Sequence, residues 1–141
     1  MSQQDCIFCK IVSGQIPSLR LFENDSVLAF LDVGPISDGH TLIVPKEHFQ
    51  RLDKAPPETA AQIARILPML AAAVQKAVNA DGYNLLCNNG TAAGQVVEHL
   101  HFHIIPRKQN DGVFDRWPAY KYEEGKADLI ARQIKDNINP E

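Results

Sequence analysis

The first half of the chain contains three short apolar runs separated by polar, Gly and Pro residues. The runs cover residues 19–23, 27–33 and 41–44 and are rich in β-branched and aromatic side chains. Runs of this length and composition, bounded by turn-forming residues, are typical of strands. The pattern therefore predicts three successive antiparallel strands.

Other segments follow a helical period instead. Between residues 58 and 78 the apolar positions recur every three or four residues, which predicts one long helix with a single buried face. Pro68 lies inside it and lacks a backbone donor, so we expect a kink there or two helices meeting at that point. Residues 7–12 predict a short opening helix stopped by glycine, and residues 127–138 a terminal helix.

Two further strands complete the predicted fold. Residues 83–87 form the first, and residues 99–105 form the second, which we expect to end at Pro106. A loop of small residues at 88–94 connects them. The sequence has no internal repeat or long linker, so residues 1–141 predict a single α+β domain with a mainly antiparallel sheet and one long helix packed on it.

Composition narrows the classes of function. The 141 residues carry a formal charge of -3, and no run of lysine or arginine could hold a polymeric nucleic acid. No apolar stretch approaches the roughly 20 residues of a membrane helix, and the first residues do not resemble a secretion signal. The 3 cysteines are an odd number, which favours reduced thiols or metal ligands. We expect a cytoplasmic protein with no membrane association.

Three histidines alternate with apolar residues in the second of these strands, predicted at residues 99–105. On a strand, His99, His101 and His103 would share one face while the apolar residues between them pack beneath the long helix. Two chemistries suit such a row. The histidines could bind a metal ion, or one neutral imidazole could attack a phosphate while its neighbours bind the charge.

A pair of cysteines lies near the start of the chain, in the sequence CIFC at residues 6–9. This spacing fits a redox motif, half of a zinc site or two buried thiols. A thioredoxin-like motif follows a strand, and no strand is predicted before Cys6, so zinc fits better. Cys87 has no evident partner and is expected in the core.

Two sequence motifs together point to a family. The chain has GQVVEHLHFHI at residues 94–104 and DGHTLIVP at residues 38–45, and it resembles the histidine triad (HIT) family of nucleotide hydrolases and transferases. The resemblance spans about residues 5–108 and leaves residues 109–141 as a C-terminal extension. It implies a HIT-like fold, a purine nucleotide substrate and a homodimer.

The resemblance also implies roles for individual side chains. His101 would be the nucleophile that attacks the α-phosphorus and forms a covalent nucleotidyl intermediate. His103 and His40 would hold phosphate oxygens, with His99 completing the catalytic triad. Gln95 would contact the phosphate and the bridging position.

The remaining substrate contacts follow by the same resemblance. Asn88 would bind near the same phosphate, and Asp32 would bind the ribose hydroxyls. An apolar wall around the base would be formed by Phe8, Phe30, Leu31 and Val33. For Phe8 and Phe30, ordinary core packing is an equal alternative.

Bacterial-type members of the family imply a zinc site. In them the cysteine pair is completed by two histidines, which here correspond to His48 and His99. Two thiolates and two imidazoles suit structural zinc, so the predicted ligands are Cys6, Cys9, His48 and His99. The alternative is that His99 serves only as a hydrogen-bond partner of His101 and that the thiols are simply buried.

The leaving group stays open at this point. Phosphoramidase members usually have serine after the glutamine, where this chain has Val96, whereas IPRK at residues 105–108 resembles members that split dinucleoside polyphosphates. The sequence therefore predicts a purine nucleotide hydrolase of undefined leaving group. Two alternatives are a nucleotide-binding interaction protein with little turnover and a small zinc-binding interaction module.

Overall fold

A computed structural model describes residues 3–138 of the chain. Five strands form one sheet in the order β1-β2-β3-β5-β4, and every neighbouring pair is antiparallel. The strands are β1 (Arg20–Glu23), β2 (Val27–Leu31), β3 (Thr41–Pro45), β4 (Gly82–Leu86) and β5 (Phe102–Arg107). The helices are α1 (Ile7–Val12), α2 (Pro57–Ala77) and α3 (Lys126–Asp136). The predicted α+β class is confirmed.

The sheet is covered on both faces, because alternate residues of its central strands enter two separate cores. Val27 and Ala29 of β2 pack with the buried face of α2, whereas Leu28 and Phe30 pack with α1. Strand β3 divides in the same way. The two helices therefore hold the sheet between them, and the α1 side carries the chemistry described below.

Helix α2 continues without interruption through Pro68, so the alternative of two helices meeting there is wrong. Pro68 and Ala64, whose carbonyl loses its usual donor, both lie on the exposed side of the helix. That carbonyl can bond to water, while Ile63 and Ile66 stay buried on the opposite side. The missing hydrogen bond is therefore tolerated.

Strand β5 differs from its prediction at both ends. It begins at Phe102 instead of His99, because the backbone N–H of Leu100 donates to the carbonyl of Phe49 outside the sheet. It also includes Pro106, which was expected to end it. Pairing of β5 with β3 stops at Ile104, so the missing donor of Pro106 lies beyond that edge.

Arg107 holds the segment that follows β5 against strand β4. Its guanidinium bonds to the carboxylate of Asp111, the side-chain oxygen of Asn84 and the carbonyl of Val113, and it lies 5.6 Å from the ring centre of Phe114. Helix α3 forms where predicted, but it ends before Ile138 and contains no buried residue. Among residues 3–138, none of the helices combines the length and apolarity needed to cross a bilayer.

Candidate active site and metal cluster

The three histidines of the row lie on one side of the sheet, as predicted, but they serve two different clusters. His99 faces Cys6, Cys9 and His48, whereas the rings of His101 and His103 pack together with their centres 4.9 Å apart. Leu100 and Ile104 point the other way, into the core beneath α2. The row is therefore not a single metal site.

The ring of His101 is held by its own chain. Its Nδ1 lies 2.7 Å from the carbonyl oxygen of His99 and can only donate to it, so this nitrogen carries the proton. The edge of the Phe8 ring packs against the same imidazole, with ring centres 5.0 Å apart. Burial lowers the pKa of His101, which keeps the ring neutral. Its Nε2 is then left with a free lone pair.

His40 and His103 form a second pair whose tautomers also follow from their partners. The backbone N–H of Ile36 donates to Nδ1 of His40, so the proton of a neutral His40 is on Nε2 and is donated to Nδ1 of His103 at 2.8 Å. The remaining proton of His103 is on Nε2, which has no partner within the described residues. Burial, with smaller contributions from His101 and His40, lowers the pKa of His103 to about 4.

An open cavity of about 340 Å³ adjoins these histidines. His101, His103 and Asp32 supply polar groups to its wall, and Phe8, Phe30, Leu31 and Val33 line it as well. Val33 is 95% exposed and stands at the mouth. The size and the mainly apolar lining are typical of small-molecule sites.

Sequence reasoning missed several residues of this wall. They are Ile7, Ile11, Ile16 and Leu42, together with Pro17 and Ser18. Helix α1 places Ile7 and Ile11 beside Phe8, and their spacing along one helix face was the available signal. An apolar helix face is ordinarily interpreted as core, which is why only Phe8 was selected.

The two predicted amide side chains have different environments. Gln95 does not line the cavity, because its Nε2 donates to the carbonyls of Gln50 and Val97 and its Oε1 accepts from the backbone N–H of Gly90. Asn88 lies against Gly94, a cavity residue whose φ of +90° favours glycine. The amide donors of Gln95 are thus already used within the protein.

The cluster of Cys6, Cys9, His48 and His99 meets the requirements of a tetrahedral metal site. Three sulfur-to-nitrogen separations and the nitrogen-to-nitrogen separation are between 3.1 and 3.5 Å, and all four ligand atoms lie within 4.8 Å of one another. A tetrahedral zinc ion, with bonds of roughly 2.3 Å to sulfur and 2.0 Å to nitrogen, separates its ligand atoms by roughly 3.3–3.8 Å. Only a slight expansion would admit the ion.

The chemistry of these donors also fits a metal cation. Nε2 of His99 donates to the carbonyl of Pro45 at 2.9 Å, so its Nδ1 has a free lone pair facing the thiols. Burial lowers the pKa of His99 to about 4, so the ring is neutral. Burial and the neighbouring Cys6 raise the pKa of the Cys9 thiol to about 11, so binding a metal ion here would release the proton of this thiol.

A second group, Asp32, His40 and His103, also comes together closely. Its hydrogen bonds argue against a metal ion. A metal on Nε2 of His40 would replace the proton that this nitrogen carries while Nδ1 accepts from Ile36, leaving an imidazolate. We interpret Asp32 and His103 as part of the cavity wall and His40 as the hydrogen-bond partner of His103.

Comparison with known proteins decides the family. The family model described as "HIT domain" matches residues 13–110. The chain belongs to the HIT family. The predicted membership is confirmed, and the Cys-His cluster is consistent with the predicted cysteine-pair zinc motif.

Two similar proteins have names that state an enzymatic activity. An adenylylsulfatase of Arabidopsis thaliana is 50% identical over 77% of this HIT chain, which spans only 55% of that longer protein. An adenosine 5'-monophosphoramidase of Schizosaccharomyces pombe is 42% identical, with 94% of this chain and 98% of the relative covered.

Solved structures confirm the HIT-like fold. A HIT family protein from Bacillus subtilis is 38% identical, has a TM-score of 0.90 and matches 97% of this chain and 99% of its own. A Zn-bound histidine triad family protein from Mycobacterium smegmatis is 33% identical, has a TM-score of 0.74 and matches 96% of this chain and 99% of its own.

Proposed function

We propose that this chain is a nucleotide hydrolase acting at the α-phosphate of purine nucleotide derivatives through a covalent nucleotidyl-His101 intermediate. The hydrolase class follows from the HIT family and from relatives named as an adenylylsulfatase and an adenosine 5'-monophosphoramidase. The scissile bond is a phosphoanhydride or a phosphoramidate, and the substrates are dinucleoside polyphosphates or nucleoside phosphoramidates.

One observation carries this proposal. The only proton of a neutral His101 is bonded to the carbonyl of His99, so Nε2 is a permanent lone pair on a cavity wall. A neutral imidazole held in one orientation on the wall of a substrate-sized cavity is the arrangement that nucleophilic catalysis at phosphorus requires. A histidine that only bound phosphate would gain from keeping a proton on that nitrogen.

The reaction then proceeds in two balanced steps. The lone pair on Nε2 of His101 bonds to the α-phosphorus as the bond to the leaving-group oxygen or nitrogen breaks, and the leaving group takes up a proton from solvent. Water then attacks the phosphorus and releases one proton to solvent, the nitrogen–phosphorus bond breaks, and the mononucleotide leaves with His101 restored.

The surrounding residues have roles in binding and orientation. We assign phosphate oxygens to the unpaired Nε2–H of His103 and to the amide of Asn88. His40 was expected to bind phosphate as well, but its only proton is donated to His103, so we assign it to orienting that ring. Asp32 is assigned to the ribose hydroxyls, and Phe8, Phe30, Leu31 and Val33 to the base. Because its amide is occupied, Gln95 is assigned to holding the loop that starts at Gly90.

Several accompanying proposals complete this assignment. Structural zinc would bind Cys6, Cys9, His48 and His99, where it adds no redox chemistry and joins α1 to the histidine row. The presence of reduced thiols supports a cytoplasmic location. We keep residues 1–141 as one HIT domain, with its core at 5–108 and an extension at 109–141; residues 1–2 and 139–141 lie outside the described part.

A homodimer is supported by one exposed surface. Strand β4 is an edge of the sheet, and its apolar side chains Tyr83 and Leu85 are 43% and 46% exposed. Met69 of α2 is 53% exposed. Apolar groups along an open edge favour pairing with a second copy.

The test is to trap the intermediate. The protein is mixed with diadenosine tetraphosphate or an adenosine phosphoramidate, quenched in alkaline denaturant, in which the nitrogen–phosphorus bond survives, and analysed by intact mass. We expect an adenylyl adduct and released AMP with the native chain, and neither with His101→Ala. Binding of AMP without adduct or turnover for either substrate would instead support the nucleotide-binding interaction protein.

A further inference from the structure

Helix α1 belongs to both the metal cluster and the nucleotide cavity. Cys6 precedes the helix and Cys9 lies in its first turn, and both face the metal position. Phe8 stands between them, with its ring centre 5.9 Å from that of His99 and 5.0 Å from that of His101. One short helix thus carries two metal ligands and a wall of the cavity.

Apart from the packing of Phe8 and Ile11 against the sheet, helix α1 has few attachments. It has only 6 residues, too few to be stable alone. At its C-terminal end the guanidinium of Arg20 donates to the carbonyls of Ile11 and Val12 at 2.7 and 3.3 Å. At its N-terminal end the metal cluster joins it to His48 and His99. Without the ion, the buried thiols keep only weak hydrogen bonds to those rings.

A second connection runs through the backbone of His99. The ring of His99 is a proposed metal ligand, and its carbonyl oxygen receives the proton of His101 Nδ1 at 2.7 Å. A shift of the His99 backbone on loss of the metal would therefore also move the carbonyl that orients His101. The metal cluster reaches the site both through α1 and through this carbonyl.

We propose that zinc in this cluster sets the nucleotide affinity and turnover of the cavity, which makes Cys9 and His48 positioning residues for Phe8 and His101. The inference rests on the proposed function for the identity of the ligand. Zinc loss loosens the α1 side of the second core, with it the base wall and the orientation of His101, while the core beneath α2 stays intact.

The experiment compares Cys9→Ser with Cys87→Ser, which alters a half-buried thiol outside the cluster. Zinc content, the Kd of AMP by calorimetry and kcat are measured for both. We expect the native chain and Cys87→Ser to hold about one zinc per chain, and Cys9→Ser to lose it and bind AMP at least about fivefold more weakly, with a lower kcat. Chelation of the native chain should reproduce these losses. Added zinc should restore AMP binding and kcat in the chelated native chain but not in Cys9→Ser.

The outcomes are decisive in both directions. An unchanged Kd and kcat in zinc-free protein, or a native chain that takes up no zinc, would overturn the inference. Unfolding on chelation, seen by circular dichroism, would also overturn it, because the metal would then hold the whole fold. If AMP binding depends on zinc but neither substrate is turned over, the hydrolase proposal fails while this inference stands.

Discussion

Nδ1 of His101 lies 2.7 Å from the carbonyl oxygen of His99, two residues earlier in the chain. The donor is therefore positioned by the backbone, and no second side chain is required to choose the tautomer. A carbonyl does not titrate, so it fixes the ring over the whole range of physiological pH. His99 thereby links the proposed nucleophile His101 to the proposed metal cluster.

Replacing the nucleophile should separate turnover from binding. We expect His101→Asn to lower kcat by at least about 10³-fold, because no other group supplies a lone pair to the phosphorus. The AMP affinity should stay within about threefold of the native value, since the wall and the other polar groups remain. Steady-state kinetics and calorimetry measure the two quantities, and residual turnover near the native rate would exclude His101 as the nucleophile.

The two amide side chains should behave oppositely. Gln95→Ala removes three internal hydrogen bonds from a buried side chain, and we expect the free energy of unfolding to fall by about 2 kcal/mol or more in urea titrations. Asn88→Ala should leave that free energy nearly unchanged and lower kcat/KM instead. The assignment is wrong if Asn88→Ala keeps full activity while Gln95→Ala loses activity without losing stability.

Much of the fold could be predicted because its pattern is local. The short β-branched runs, the three-and-four spacing of α2 and the glycine after α1 each determine an element from neighbouring residues alone. The histidines and the apolar residues between them face opposite ways, and this likewise follows from their alternation along the chain. These features need no knowledge of what lies across the sheet.

What escaped prediction depends on distant partners. The start of β5 is set by the bond between Leu100 and Phe49, and the orientation of Gln95 by Gln50, which is 45 residues away. The same holds for the tautomer of His103, which is set by His40. None of these contacts leaves a periodic signal in the sequence.

Acid should destabilise the fold through the buried histidine pair. His103 has a pKa of about 4 in the folded chain and about 6.5 when unfolded, so below 6.5 the unfolded chain binds the extra proton. The free energy of unfolding should then fall as pH drops from 6.5 to 4, by about 1.4 kcal/mol per pH unit for this residue, and be flat above 6.5.

The control for this slope is His103→Asn, because His40, His101 and Asp32 face the same ring and are present in both proteins. Urea titrations across the range should give a shallower acid slope for the variant by about one proton's contribution. Equal slopes for the two proteins would mean that His103 is not held neutral in the fold.

Replacing Gly39 should destabilise the fold more than replacing Gly14. Its φ is +87°, and an added Cβ would lie 2.9 Å from Cγ1 of Val78 and 3.3 Å from Cγ of Pro106. Gly14 has a similar φ of +83° but open space around it. We therefore expect Gly39→Ala to lower the free energy of unfolding by about 3 kcal/mol and Gly14→Ala by only about 1 kcal/mol in urea titrations. Gly39→Ala should also lower kcat, because His40 is the next residue and holds His103. Equal losses of unfolding free energy for the two variants would show that backbone strain alone governs both positions.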